Sequence, residues 1–146
     1  FNMDGEVVGM ISSSVWNDTG KNVVNAYGIS DLKPIIELLI NGKSVPYIGI
    51  YGTTVTEQLA EEHKMPSGIY VADVDPDSPA MAAGIQIGDI ICEASGEEIK
   101  DIAAYQNIVI GSSVGETMEF VGKRLGSDGY VNIKFSVVTT EKEEVK

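Results

Sequence analysis

The stretch Asp77-Ser78-Pro79-Ala80-Met81-Ala82-Ala83-Gly84-Ile85-Gln86-Ile87-Gly88-Asp89-Ile90-Ile91 constrains the fold more than any other part of the chain. Asp77 or Ser78 can cap a helix, because a short side-chain oxygen reaches the free N–H groups of the first turn. Pro79 suits the first helical position, where no N–H is needed and φ is already set. Ala80 to Ala83 favour helix. Gly84 suits the left-handed position after a helix, with Ile85 packing back on it. Gly88-Asp89 then turns the chain, and Ile90-Ile91-Cys92 reads as a buried strand. A helix of one to two turns therefore feeds a core strand, a module common to many α/β connections.

With 146 residues, 43% of them hydrophobic, the chain holds one domain or one domain plus an appendage. No run approaches the roughly 20 apolar residues of a membrane helix, and the longest patch, Ile35 to Ile40, is interrupted by Glu37. A net charge of −12 disfavours nucleic acid and anionic membrane surfaces as partners. The single cysteine, Cys92, excludes an internal disulfide, and its apolar strand context predicts a small core residue. No signal peptide is visible, and Phe1 is no initiator, so the chain reads as cut from a longer one.

Phe1 to Ile11 reads as a hairpin about Asp4-Gly5, with Val7 to Ile11 as its apolar strand. Ser12 to Asn25 is polar, a loop or disordered, and carries the only tryptophan, Trp16. Ser30 to Asn41 is the clearest helix. Ser30 is its expected N-cap, Pro34 falls in its first turn, Leu32, Ile35, Ile36, Leu39 and Ile40 form one apolar face, and Gly42 ends it. Gly42 to Pro46 is the expected boundary. Beyond it come a strand at Tyr47 to Tyr51, a helix from about Thr56 to His63, a strand at Ile69 to Val74, the capped helix, and a strand at Ile90 to Ala94. A turn at Ser95-Gly96 and a helix from about Asp101 to Ile110 follow. Strands at about Glu116 to Lys123 and Tyr130 to Val138, joined at Gly126-Ser127-Asp128-Gly129, complete the set, with Val131, Ile133, Phe135 and Val137 facing one way. The expected class is α+β, mostly β: a small, partly open β-barrel of about five strands capped by two or three helices.

In order and spacing, Tyr47-Ile48-Gly49-Ile50, Ser78-Pro79-Ala80, Ala83-Gly84-Ile85, Gly88-Asp89-Ile90-Ile91, Gly96 and Ile99 match a known pattern. Tyr47 to about Thr139 resembles the PDZ domain of the HtrA/Deg family of trypsin-like serine proteases. Phe1 to Met10 looks like the strand pair that follows the nucleophile motif in trypsin-like folds, and Ala26 to Lys33 like the end of that barrel and its C-terminal helix. The resemblance implies a protease-domain remnant and linker at 1–45, a PDZ domain at 46–140 and a charged tail at 141–146. It implies a bacterial-type parent, secreted or membrane-anchored and so extracytoplasmic, that acts in protein quality control. The implied partners are C-terminal or exposed apolar segments of unfolded proteins, and the chain's own protease domain. Two rivals are a non-enzymatic PDZ adaptor, which the match upstream of Gly42 disfavours, and a PDZ domain of another protease class. The faces of Val7 to Ile11 and Leu32 to Ile40 are expected to pack on the PDZ domain or on a second copy of the chain.

A Ser-His-Asp triad needs three side chains in mutual reach. The only histidine, His63, sits in the charged run Glu61-Glu62-His63-Lys64 and reads as a surface residue. In the resembling proteases all three catalytic residues precede the segment matching Phe1, so no catalytic residue and no peptidase activity is expected in this chain. No metal-spaced His/Cys set or phosphate loop appears, and no metal or cofactor is expected. Binding chemistry is better represented. Capturing a peptide C-terminus takes converging backbone N–H groups and an open sheet edge. Tyr47, Ile48, Gly49 and Ile50 would form the carboxylate loop, with Gly49 permitting close backbone approach. Ile48 and Ile50 would line a side-chain pocket against Ile102, Tyr105, Ile108 and Val109 of the Asp101 to Ile110 helix, with Ile102 and Val109 the more core-like and Tyr105 and Ile108 in the groove. The nearest cation is Lys43, so carboxylate capture rests on backbone dipoles, and internal apolar segments are accepted as ligands too.

Overall fold

The computed structural model describes residues 2–10 and 27–141, so the stretch Ser12 to Asn25 with Trp16, and the tail beyond Glu141, lie outside the described residues. The chain forms two compact units, Phe1–Lys43 and Ser44–Lys146.

In the first unit, β1 (Gly9–Met10) pairs antiparallel with β2 (Tyr27–Gly28), which leads into α1 (Ile29–Ile40). The expected Asp4-Gly5 hairpin is instead a side-chain-closed turn. Asn2 Oδ1 accepts the N–H groups of Asp4 and Glu6 at 3.0 and 2.9 Å, and the strand that follows takes β2 as its partner. Ser30 is not the N-cap of α1. Gly28 holds that place without a side-chain cap, because the N–H of Ile29 already bonds the Val8 carbonyl at 3.1 Å. The earlier start puts Pro34 inside the helix rather than in its first turn. No residue of α1 is buried, and Leu39 and Ile40 are 60% and 79% exposed.

The second unit is built on one antiparallel sheet. Its strands are β4 (Ile50–Val55), β5 (Gly68–Val74), β6 (Ile90–Ala94), β8 (Thr117–Gly126) and β9 (Gly129–Val138), in the order β4-β5-β6-β8-β9, with β7 (Glu97–Glu98) paired to β6. A second, two-stranded ladder joins β3 (Pro46–Tyr47) to β10 (Thr140–Glu141). The sheet is not a closed barrel, and β4 is an edge strand. Three helices complete the unit: α2 (Glu57–His63), α3 (Pro79–Ala82) and α4 (Ile102–Gly111). Each starts on a side-chain cap. Thr56 accepts from Leu59 N–H, Ser78 from Met81 N–H and Asp101 from Ala104 N–H.

The expected strand at Tyr47 to Tyr51 is two strands, because the chain leaves the extended conformation at Gly49. Glu141, expected in the charged tail, is the last residue of β10. Cys92 is half-buried rather than in the core. Its thiol lies 3.3 Å from the Ser67 carbonyl, and burial pushes its pKa up. Val131 opens the predicted alternating face but is 53% exposed, because the β8–β9 hairpin runs past the core. Only Phe135 and Val137, near its base, are buried.

The core contains Ile69, Val71, Ile90, Ile91, Met118, Phe120 and Val137. One charged group lies among these strands. Met118, Phe120, Gly122 and Arg124 share a face of β8 by the period-2 rule, so Arg124 arrives where the apolar face ends. Its Nε and Nη2 donate to Asp89 Oδ1 and Oδ2 at 2.6 and 2.8 Å, and Nη2 also donates to the Gly84 carbonyl at 2.9 Å. Asp89 is 1% exposed and also accepts the Gln86 N–H at 2.9 Å. A fork-to-fork pair of this kind is strong and directional. Arg124→Met strands a buried carboxylate. It should lower stability by about 2–3 kcal/mol, at the modest end because the arginine is partly solvated. Urea unfolding of the variant checks this, and an unchanged midpoint would contradict it.

Candidate functional site

The site begins where β3 stops. Tyr47 is held by its pairing with Thr140, and β10 is held in turn by buried Thr139, whose hydroxyl lies 2.6 Å from the Ser113 carbonyl just beyond α4. Between β3 and β4, Ile48 and Gly49 cross a gap with their carbonyls already spent. Ile48 C=O accepts the Ala80 N–H at 3.0 Å and Gly49 C=O accepts the Asp75 N–H at 2.9 Å. Their own N–H groups meet no acceptor among the described residues.

Gly49 adopts φ +90°, and a Cβ there would stand 2.3 Å from Ser78 Cβ. Only glycine fits this contact. The capped helix α3 is therefore the wall on which the loop is built: Ser78 backs Gly49 and Ala80 holds Ile48. Sequence reasoning gave α3 only as a short capped helix feeding a core strand. Its cap was readable, but nothing in the local pattern says which distant glycine leans on it.

Antiparallel alternation then directs the edge. Because Asp75 N–H bonds Gly49 C=O and Ile50 lies opposite Val74, the N–H and C=O of Ile50 point away from β5. The irregularity in the β4–β5 ladder falls between Tyr51 and Gly52 on the register and adds its extra residue to β5, between Val71 and Asp73. Gly52 and Thr54 therefore also present their backbone groups to the open edge. The structure thus places two free N–H donors at the head of an unpaired strand edge.

Ile48, Ile50, Tyr105 and Val109 are buried together in the core, and Ile102 and Ile108 pack partly buried against it. The structure brings all six predicted pocket residues into one cluster. Their division differs from expectation, because the i, i+4 pair Tyr105 and Val109 turns inward and leaves Ile102 and Ile108 nearer the surface. The Tyr105 ring stands 6.5 Å from that of Phe120. Burial first, and then its neighbours Tyr47 and Tyr51, push the Tyr105 phenol well above its ordinary pKa.

Sequence reasoning missed Asp75. The hydroxyls of Tyr47 and Tyr51 both donate to its Oδ2, the latter at 2.8 Å. Burial, then the bond to Asp75, raises the Tyr47 pKa. An acidic group thus stands beside the loop, while Lys43 is exposed. A separate open cleft of ≈ 990 Å³, lined by Tyr51, Asp75, Ser78, Ala82 and Val138 among others, shares Tyr47 with the loop but no residue of α4. His63 is exposed on α2, and no group of His, Cys, Asp and Glu fit to hold a metal occurs among the described residues.

The PDZ domain family matches residues 70–124. A probable periplasmic serine endoprotease, DegP-like, of Halomonas elongata is 30% identical over 91% of this chain, which spans 29% of that protein. The serine protease Do-like HtrA of Bacillus subtilis is 30% identical over 98% of this chain, which spans 34% of it. Among solved structures, the HtrA3 PDZ domain bound to a phage-derived ligand (FGRWV) is 33% identical. The match covers 64% of this chain and 84% of that one, with a TM-score of 0.54.

The loop geometry has two measurable consequences. Amide protons of Ile48 and Gly49 should exchange at least about a hundredfold faster than those of Ala80 and Asp75, which are bonded inside the same structure; hydrogen exchange by NMR reads this directly. Gly49→Ala should lower stability by about 1–3 kcal/mol through its left-handed backbone and the Ser78 contact. Equal protection of all four amides, or a neutral Gly49→Ala, would contradict the assignment.

Proposed function

Because the chain belongs to the PDZ domains of HtrA/DegP-like proteins, we propose that its second unit docks peptides by their C-terminal ends. The observation that carries this is the pair of unspent N–H groups at Ile48 and Gly49, placed at the head of the open β4 edge. A terminal carboxylate accepts the two N–H groups, as in other backbone nests. The chain behind it adds a strand beside Ile50. Its last side chain, apolar, enters the pocket of Ile48, Ile50, Ile102, Tyr105, Ile108 and Val109. The peptides are C-terminal or exposed apolar segments of unfolded proteins.

The parent protein, on this reading, is an extracytoplasmic serine endopeptidase of protein quality control. Residues 1–45 are the end of its protease domain with the linker, residues 46–140 are the PDZ domain, and docking delivers substrate to the protease domain. A second copy of the chain is a further partner, through the apolar face of α1. A second reading of the ligand is favoured by Asp75 beside the loop, whose negative charge opposes a carboxylate: internal apolar segments are accepted as well.

A library of apolar-ended peptides, each with free and amidated C-termini, tests both readings. Free-acid peptides should bind at about micromolar strength, near −8 kcal/mol, and amidation should weaken them about tenfold. Gly49→Val should remove binding. Equal binding of both forms supports the second reading over the first, and binding of neither, or binding unaffected by Gly49→Val, rejects the site.

A further inference from the structure

The edge that accepts a strand does not stay open along its whole length. At its far end the side chain of Thr54 leaves β4 and its Oγ1 accepts the N–H of Ile102, the first residue of α4, at 3.1 Å. This N–H belongs to the free first turn of a helix, where Asp101 Oδ1 satisfies a different donor, that of Ala104 at 2.7 Å. Thr54 thus links β4 to the start of α4. A paired strand needs about 4.8 Å of lateral space beside β4, whereas here the Thr54 hydroxyl bonds directly to the first residue of α4.

We propose that the Thr54–Ile102 hydrogen bond is a clasp that closes the groove after Gly52, making Thr54 the residue that limits how many peptide residues are read. This rests on the docking function proposed above. The carboxylate loop marks one end of the groove at Ile48–Gly49 and the clasp marks the other. Edge positions alternate, so Ile50 and Gly52 are the two at which a peptide pairs before it meets Thr54. Two edge positions serve about four peptide residues. Residues further from the C-terminus leave the groove and contribute little.

The clasp is sequence-encoded in a way that tests can separate from stability. Thr54→Val keeps the shape and removes the acceptor, so the Ile102 N–H becomes available to a peptide carbonyl. Thr54→Ser keeps the acceptor. Two peptides with the same apolar-ended last four residues, one extended at its N-terminus by four alternating Val and Thr residues, are titrated by fluorescence polarisation against each protein. The readout is the ratio of long-peptide to short-peptide affinity within each variant, which a general loss of stability does not change. The expected ratio is within about twofold of unity for the wild type and Thr54→Ser, and about tenfold for Thr54→Val, or about 1.4 kcal/mol. A wild-type ratio already near tenfold, or a Thr54→Val ratio near unity, overturns the clasp while leaving peptide docking standing. Failure of the wild type to bind either peptide overturns the docking function and the clasp with it.

Discussion

The second unit depends on a buried carboxylate. Asp89 sits at the end of the turn after α3, and its side chain and backbone make five hydrogen bonds: two from Arg124, one from Gln86 N–H, one from Val71 N–H to its carbonyl at 2.8 Å, and one from its own N–H to the Gln86 carbonyl at 3.1 Å. These tie the helix-turn segment to β5 on one side and to β8 on the other. Arg124 also spans to Gly84, and its guanidinium lies 5.8 Å from the centre of the Phe135 ring, so β9 is included. A charge taken out of water is costly unless every lone pair is met. Here nearly all are, and the geometry that meets them fixes where α3 can lie.

That placement carries through to the candidate site. With α3 fixed, Ser78 and Ala80 present a rigid surface to Gly49 and Ile48. The loop gains one carbonyl bond from this wall, at Ala80, and one from Asp75 N–H, and its own two N–H groups stay unspent among the described residues. The other side of the groove is anchored differently. α4 meets β4 through Thr54 at its start, and is tied near its end through Thr139 and Ser113. The groove therefore joins a wall held by a buried ion pair to a wall held by the burial of Tyr105 and Val109, with hydroxyl contacts at its two ends.

Much of this was legible in the sequence, because the informative residues act locally. Ser78-Pro79 and Gly84 state a short helix whatever surrounds them, and the helices expected from about Thr56 and Asp101 begin there, on caps only the structure shows. Ile48, Ile50, Tyr105 and Val109 could be grouped because strand and helix periods sort side chains by face. What remained illegible is what depends on distant partners. Arg124 reads as an exposed hairpin residue until β8 is placed beside Asp89. Ser30 looks like a better N-cap than Gly28, but strand pairing at Gly28 and the bond from Ile29 to Val8 start the helix earlier than any local preference. Asp75 looks like a turn residue, and only the fold gathers Tyr47 and Tyr51 around it.

Asp75 also bears on how far charge can govern recognition. On the proposed docking, a hydrogen bond to a charged group contributes about 1.5–3 kcal/mol net, so two N–H groups on a carboxylate give at most about 3–6 kcal/mol. An acidic side chain beside the loop, in a chain of net charge −12, works against that sum. Its effect is reduced because two phenol hydroxyls already donate to its Oδ2. The carboxylate then supplies only part of a micromolar binding energy of about 8 kcal/mol. Strand pairing and an apolar last side chain must supply the rest. Burying one Val- to Phe-sized side chain is worth about 1.5–3 kcal/mol, comparable to the net carboxylate term. On the proposed docking, selectivity in this groove resides at least as much in the Ile48, Ile50, Tyr105 and Val109 cluster as in the loop, and the loop sets the register from which that cluster is reached.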